Sequence, residues 1–442
     1  LCGALALAGT LAAPRPAAAA DHTFTVDTTA DGVDDNPGNG VCHTAAGACT
    51  LRAAVMESNH TSSGTVEIVV PANANPYVLS ILPTGMDDET SGDLNIDRVV
   101  TITGGGAQHT IIDGNGTDRV FNVLISVGVP GDVSFSGITV RNGSVTVGGG
   151  GLYIFNKYYP VFLERCAITG NAAGSGGGVY ADTDTVLDRS TVSGNHATAG
   201  PGGGVLAYSI TIADSTISGN TASSGGGGIF LGSTSTGTVF YSTIDENDGG
   251  SIGPNGGGGG IYTTSTDVQV IGSVLWGNVD EIPTVPIPTL EDCDCKGTFT
   301  GSPNLVGTKN HCSITATVGN PLLGPLHLNG GQVPTRALLA GSPAIGAGNP
   351  TSCAYDTPTD ERGAHRPEGA ACDLGAYEFD ANGDANGDGM RDVADVFFLI
   401  NYLFASGPAP VGLGDVNGDA KTDIADVFSL INFLFAGGPA PL

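Results

Sequence analysis

One short motif recurs through the middle of the chain. A β-branched or apolar residue, a small polar residue and Gly-Asn appear as Ile168-Thr169-Gly170-Asn171, Val192-Ser193-Gly194-Asn195 and Ile217-Ser218-Gly219-Asn220, with looser copies ending at Asn142, Asn247 and Asn278. Successive asparagines are 29, 24, 25, 27 and 31 residues apart. Glycine runs at 148–151, 176–178, 202–204, 225–228 and 256–260 follow, and each leads into another apolar segment such as Val179-Tyr180 or Ile229-Phe230. Units of this length cannot bury an apolar face alone and must stack on their neighbours. Strand-length segments broken by Gly and Asn, with no helix-length periodic stretch between them, make the stack a β-solenoid. A turn of about 25 residues holds roughly three short strands and three corners, the rung of a right-handed parallel β-helix. Glycine and asparagine tolerate the left-handed backbone of tight corners. An Asn repeated at one corner predicts a stack exchanging amide hydrogen bonds along the axis. Val66-Glu67-Ile68-Val69-Val70, Val99-Val100-Thr101-Ile102, Ile111-Ile112-Asp113 and Val120-Phe121-Asn122-Val123 supply the strands of less regular earlier rungs.

Composition narrows the functional classes. The chain has 71 glycines but no three-residue period, which excludes a collagen helix. Lys and Arg number 15 against 44 Asp and Glu, a formal charge of −29. That excludes a general nucleic-acid or anionic-membrane binder and favours cations as ligands. No Lys follows a glycine run, so none is a phosphate cradle. No Asp follows in the register of a calcium-binding nonapeptide, so the runs read as corners.

Residues 1–20 read as a truncated signal peptide: an apolar stretch around Ala4, Leu5, Ala6, Leu7 and Leu11 ends in Ala18-Ala19-Ala20. The expectation is a secreted, extracellular or cell-surface bacterial protein. No other stretch reaches the ~18 apolar residues of a membrane span. Beyond Cys2, eight cysteines in an exported chain suggest disulfides. Cys42 with Cys49 and Cys353 with Cys372 are the expected local pairs, while Cys166, Cys293, Cys295 and Cys312 leave three connectivities open.

The segment Cys49-Thr50-Leu51-Arg52-Ala53-Ala54-Val55 resembles the signature of the CSLREA domain that opens many secreted bacterial β-helix proteins, with Ala53 in place of its acidic residue. The resemblance implies a cap over residues 21–60. Within it, residues 51–58 are expected to form a short amphipathic helix plugging the solenoid's open end, which would otherwise expose unpaired edges. Asp27, Asp31, Asp34 and Asp35 form an acidic cluster that also reads as a weak calcium site. The β-helix is assigned to 61–319. After it, Leu328-Asn329-Gly330-Gly331, Gly341-Ser342-Pro343-Ala344-Ile345-Gly346, Arg362-Gly363-Ala364 and Cys372-Asp373-Leu374-Gly375-Ala376-Tyr377-Glu378 resemble the choice-of-anchor Q region that ends such proteins. This covers 320–379 and implies surface display.

Residues 381–442 carry the strongest chemical signal. Asp384, Asn386, Asp388, Asp392 and Asp395 stand at positions 1, 3, 5, 9 and 12 of a twelve-residue loop, and Asp415, Asn417, Asp419, Asp423 and Asp426 repeat them 31 residues later. Calcium takes six to eight hard oxygens, which alternate residues of a tight loop can supply. Met390 and Lys421 would add backbone carbonyls at position 7. Gly389 suits the turn at position 6, where the second loop has Ala420. Each loop leads into an apolar helix, with Val396, Phe397, Ile400 and Leu403 on one face of the first and Val427, Leu430, Ile431 and Leu434 on the second. The arrangement resembles a type I dockerin: a small α-helical, EF-hand-like domain holding two Ca2+ ions. It implies a cohesin-like or other cell-surface protein as partner. Val393-Ala394 and Ile424-Ala425 stand where hydroxyl residues commonly read a cellulosomal cohesin, a departure favouring a more apolar partner.

Catalytic residues are harder to find. A calcium-assisted lyase needs an Arg or Lys base beside acids, and the repeat core offers Arg141, Lys157, Arg165 beside Glu164, and Arg189 beside Asp188. An inverting glycosidase needs two carboxylates roughly 6.5–9.5 Å apart, for which Asp182, Asp184 and Asp214 are the candidates. His196 follows a corner asparagine and reads as surface. No catalytic residue is assigned. The sequence predicts a mainly β, secreted, binding or structural protein attached through a calcium-dependent dockerin. The alternative is a polysaccharide lyase or glycoside hydrolase carried by it.

Overall fold

The computed structural model describes residues 19–442 except 86, 126–130, 157–158, 251–256, 281–290, 293–294, 310–311, 352, 354–356, 368–370, 380–382, 387–390, 411–413, 418–420 and 439–442. The stretch read as a signal peptide therefore lies almost wholly outside the described residues. A 15-stranded parallel sheet runs from His22–Thr25 through Val66–Val70, Thr101–Gly104, Val133–Ser136 and Val161–Glu164 into the long strands Val179–Asp188, Val205–Ala213 and Ile229–Phe240, and on to Cys295–Thr298. A 10-stranded parallel sheet runs beside it from Tyr77–Val78 to Thr317–Val318. A 3-stranded sheet of Ala172–Ala173, His196–Ala197 and Thr221–Ala222 closes the turn. Consecutive strands of each sheet lie one repeat apart in sequence, so the chain coils and the predicted solenoid is present.

Alternation along each strand decides which side chains enter the coil. Ile168, Val192, Ile217, Ile244 and Leu275 stand in register one above another and are wholly buried. The corners carry the polar part of the interior. Asn171, Asn195, Asn220, Asn247 and Asn278 are almost inaccessible, and each amide hydrogen-bonds to the next. Each also donates Nδ2 to a strand carbonyl one turn back along the chain, as Asn220 does to Val192 at 2.9 Å. Asn142 is not a member. It takes the left-handed place (φ 54°) that Gly170 fills in the next rung, and Gly143 N donates to Asn171 Oδ1 in the ladder position.

A second ladder at another corner was not read from the sequence. The backbone N–H of Ser190 donates to Ser215 Oγ, that of Ser215 to Ser242 Oγ, that of Ser242 to Ser273 Oγ and that of Ser273 to Asn304 Oδ1. Cys166 begins this series, its N–H donating to Ser190 Oγ at 3.0 Å. Its thiol donates to carbonyls of Phe135 and Glu164, as Ser190 Oγ does to those of Leu163 and Asp188. Cys166 is therefore a free, buried thiol in a serine place and no disulfide partner for the other three; burial pushes its pKa up to about 12. Cys295 is disulfide-bonded, Cys293 lies outside the described residues, and the expected bonds Cys42–Cys49 and Cys353–Cys372 are both formed.

Helix α1, Leu51–His60, is capped by Thr50, whose hydroxyl accepts from Ala53 N. It sits against Val66–Val70 and Leu94–Ile96, with Leu51, Ala54 and Val55 in the core. It is not amphipathic in place, because residues 51–58 are all buried. The loops on either side wrap it through its charges. Arg52, 1% exposed, pairs with Asp31 at 2.8 Å and donates to the carbonyls of Gly92 and Asp93, and Glu57 accepts from the N–H groups of Gly38 and Gly40.

Residues 321–379 fold back along the 10-stranded sheet and cover it. The threonines that open three successive strands, Thr191, Thr216 and Thr243, are contact points. Thr191 donates to Pro334 O and Glu361, Thr216 to Glu361, and Thr243 Oγ1 accepts from Ala376 N. Arg336 pairs with Asp245 at 2.7 Å and with Glu246.

Candidate functional site

The two calcium-type loops are each locked by the helix that follows. Asp392 caps α2, Val393–Ala405, by accepting from Ala394 N at 2.6 Å, and Asp395 returns by accepting from Asp392 N at 2.8 Å. Asp423 and Asp426 do the same at the head of α3, Ile424–Ala436, at 2.7 Å each. These are capping boxes built from aspartates, and an acid in the first turn also suits the helix dipole. The same carboxylates reach back across their loops. Asp395 accepts from Asn386 N at 3.1 Å, and Asp426 accepts from Val416 N at 2.7 Å and Asn417 N at 3.2 Å.

Asp395 and Asp426 are wholly buried and Asp384 is 2% exposed. A carboxylate offers about four lone-pair sites, and the loop N–H groups take up part of that capacity at each position-12 residue. The structure thus brings Asp384, Asn386, Asp392 and Asp395 to one loop, and Asp415, Asn417, Lys421, Asp423 and Asp426 to the other. Asp388, Met390 and Asp419 lie outside the described residues. The donors are hard oxygens throughout, a set that fits Ca2+ and disfavours softer metals.

The first helix differs from expectation in phase, while Val427, Leu430, Ile431 and Leu434 of the second face the core as expected. Val396 and Leu399 on α2 and Val427 and Leu430 on α3 are buried with Ala385 and Val416 in a common core, and Leu403 and Leu434 pack against it. Phe397 (65% exposed), Ile400 and Phe404 (68%) form a second, open stripe on α2, and Ile424, Phe428 (64%) and Phe435 (68%) one on α3. The sequence reading merged the two stripes of α2, because a helix that is apolar on both sides has no periodicity to choose its inward face.

The candidate catalytic charges are consumed by one another. Arg165 pairs with Glu164 at 3.0 Å, and Arg189 with Glu164 and Asp188 at 2.8 Å each. Neither arginine lies on a strand face; both occupy left-handed corners, φ 50° and 47°, just before the serine ladder. Burial opposes the charge of Arg189, but Asp188 and Glu164 outweigh it and hold its pKa above the ordinary value. A lyase base has to release its proton, and this pairing works against that. Arg141 is likewise paired, with Asp113 at 2.8 Å, and Lys157 lies outside the described residues.

Asp214 is buried against Arg366 at 3.4 Å, at the corner beyond Ala213, the partner of Asp188. Asp184 lies four residues before Asp188 on the same strand, about 13 Å at 3.3 Å per residue. Asp182 and Asp184 thus do not meet Asp214 as a glycosidase pair. His196 is exposed and hydrogen-bonds Thr221. In the N-terminal acidic cluster, Asp27 accepts from Cys49 N, Asp31 holds Arg52, and Asp34 and Asp35 gather around His43.

Among the described residues no helix is long and apolar enough to cross a membrane. No curated protein matches the sequence. Among solved structures, pectate lyase Pel9A aligns at 13% identity over 82% of this chain and 97% of its own, with a TM-score of 0.43. Residues 100–282 match the family model described as right handed beta helix region, and 382–435 match that of the dockerin type I domain. Type I dockerin domains bind calcium and pair with cohesin partners. The chain combines a right-handed parallel β-helix with a C-terminal type I dockerin domain.

Proposed function

We propose that this protein works outside the cell as a non-catalytic β-helix, attached to a cohesin-like or other cell-surface protein through its dockerin domain. Two Ca2+ ions order that domain, held by Asp384, Asn386, Asp388, Asp392, Asp395 and the Met390 carbonyl, and by Asp415, Asn417, Asp419, Asp423, Asp426 and the Lys421 carbonyl. In this reading residues 1–20 are the remnant of an export signal, 21–60 a CSLREA-like cap, 61–319 the β-helix, 320–379 a choice-of-anchor Q-like strap, and 381–442 the attachment module.

The observation that carries the reading is the duplicated open stripe of Phe397 and Phe404 on α2 and Phe428 and Phe435 on α3, beside two loops of identical capping geometry. Large aromatics this exposed mark an interaction surface, and their duplication offers two equivalent docking faces. The rival reading, a polysaccharide lyase or hydrolase carried by the dockerin, finds Arg189 held protonated by Asp188 and Glu164, and Arg141 and Arg165 ion-paired.

Calcium titration followed by circular dichroism tests the attachment module. Chelator is expected to lower helicity, because metal binding and folding are coupled when aspartates crowd a loop. Asp384→Ala with Asp415→Ala is expected to abolish the calcium response and calcium-dependent retention on immobilised cohesin modules. Unchanged helicity in excess chelator refutes the calcium part. Release of unsaturated uronides or reducing ends from polysaccharide, lost on Arg189→Ala, overturns the non-catalytic part.

A further inference from the structure

On the outer side of the 15-stranded sheet the register stacks Asn122, Tyr153, Tyr180, Leu206, Phe230 and Tyr262 one above another, one residue per rung. The neighbours of these residues along the strands, such as Leu152, Ile154, Val179 and Ala181, point into the core. Ring centroids are 5.2 Å apart between Tyr153 and Tyr180, and 5.3 Å apart and nearly coplanar in orientation (4°) between Phe230 and Tyr262. Phe155 (44% exposed) and Tyr208 (46%) widen the apolar surface on one side. On the other side the chain is glycine. A Cβ on Gly148 would lie 2.6 Å from the Tyr180 ring, and one on Gly202 2.8 Å from the Leu206 side chain. Bare backbone flanks the rings there.

The stripe ends in a cleft of about 310 Å³ lined by Asp87, Arg119, Asn122, Val147, Tyr153 and Tyr180. Asn122 is 1% exposed, and its Nδ2 donates to Asp87 Oδ2 at 3.1 Å and Asn95 Oδ1 at 2.8 Å, which fixes the amide's orientation. Its Oδ1 is buried with no hydrogen-bond partner among the described residues. A buried acceptor left unsatisfied is costly. Arg119 is held over the Tyr153 ring at 5.2 Å by its ion pair with Asp93.

We propose that this stripe and cleft bind a neutral, extended, 1,4-linked polysaccharide lying along the solenoid axis, its sugars stacking on the rings. From Asn122 to Tyr262 is five rung steps, about 24 Å at a strand spacing of ~4.8 Å. A pyranose in an extended 1,4-linked chain advances by close to one strand spacing, so successive sugars meet successive rungs. Aromatic side chains bring large rigid contact area, and the C–H face of a pyranose stacks on it. The net charge of −29, with Asp87 at the cleft, argues against a polyanionic chain. An added peptide strand would need a sheet edge, whereas the stripe lies on a sheet face whose N–H groups are spent within the ladder. The site is independent of the dockerin and keeps its affinity in chelator, so its failure and that of the attachment module are told apart.

Affinity electrophoresis of the full chain in gels containing hydroxyethylcellulose, xylan, glucomannan or polygalacturonate tests the proposal, with hexasaccharides of the retarding polymer titrated by calorimetry. Retardation by at least one of the three neutral polymers is expected, unchanged by chelator. Tyr153→Ala with Tyr180→Ala is expected to weaken binding about tenfold or more, the loss typical of removing central aromatic anchors. Tyr153→Phe with Tyr180→Phe keeps the rings and retains it. Phe155→Ala with Tyr208→Ala, at exposed rim positions, weakens binding without touching the core and serves if the first pair fails to fold. The proposal is overturned by no retardation with any neutral polymer, by retardation that ignores both alanine pairs, or by binding to polygalacturonate alone.

Discussion

The asparagine ladder allows a mutational cost to be worked out bond by bond. Asn220 is wholly buried and its side chain makes four hydrogen bonds: Oδ1 accepts from Asn195 N at 3.0 Å and Asn195 Nδ2 at 2.9 Å, and Nδ2 donates to Val192 O and Asn247 Oδ1 at 2.9 Å each. In Asn220→Ala the Asn195 amide keeps its bond to Ile168 O and Asn247 Oδ1 keeps the Asn220 N–H, but the Asn195 backbone N–H loses this acceptor in a dry interior. At about 1 kcal/mol net per bond, with more for the stranded donor, the change costs about 4–5 kcal/mol. Asn220→Asp keeps the shape and costs more. Its second oxygen faces two acceptors at 2.9 Å, so it either buries an uncompensated charge or retains its proton. Retention raises the folded-state pKa above the unfolded value. The Asp variant therefore loses stability as pH rises from about 4, by about 1.4 kcal/mol per unit up to the folded pKa. Guanidinium unfolding followed by circular dichroism at pH 5 and pH 8 measures both variants. An Asn220→Ala cost below about 1 kcal/mol, or an Asp variant no weaker than the Ala variant at pH 8, refutes the ladder's energetic role.

Two other buried groups make separable predictions. Cys166→Ser should change stability by less than about 1 kcal/mol, because a serine there repeats the bonding of Ser190, and the native thiol should resist alkylation at pH 8 until the chain unfolds; rapid labelling of the folded protein would contradict its place in the serine ladder. Glu361 is 1% exposed, and burial holds its pKa well above the ordinary value despite the Thr216 and Thr191 hydroxyls donating to it. The folded state keeps a proton that the unfolded chain releases above about pH 4.5, so this group's contribution falls as pH rises. Glu361→Gln should leave stability nearly unchanged at pH 5 and raise it at pH 7, with unfolding midpoints that differ by no more at pH 7 than at pH 5 counting against the reading.

What could be read from sequence was whatever repeats at constant offset. The ladder asparagines stand four residues after the first strand residue, as Asn171 does after Ala167 and Asn195 after Thr191. Asn142 stands three after Thr139, and that one-residue difference, visible in the sequence, places it on the left-handed corner instead. The serine ladder repeats as regularly as the asparagines, but serine is common in turns and its repetition was not read as a signal. The strap could not be read, because Thr216 with Glu361 and Arg336 with Glu246 join residues 145 and 90 positions apart without any local pattern. The dockerin domain was readable because the residue spacing of its loops is set by the geometry of one short turn.

In a solenoid every residue belongs to a column, and a column can be asked what keeps it. The asparagine and serine columns close the corners, the apolar columns fill the coil, and the threonine column seats the strap. Each is explained by contacts within the chain. The column of Tyr153, Tyr180, Phe230 and Tyr262 is explained only in part: neighbouring rings stack on one another, yet these partly buried side chains on an outer sheet face still leave apolar surface in water. The glycine corners beside it are required by a left-handed backbone at Gly149, Gly176 and Gly202, and at Gly148 by the Tyr180 ring. The apolar surface that the rings leave along this column is accounted for by a ligand that lies along it.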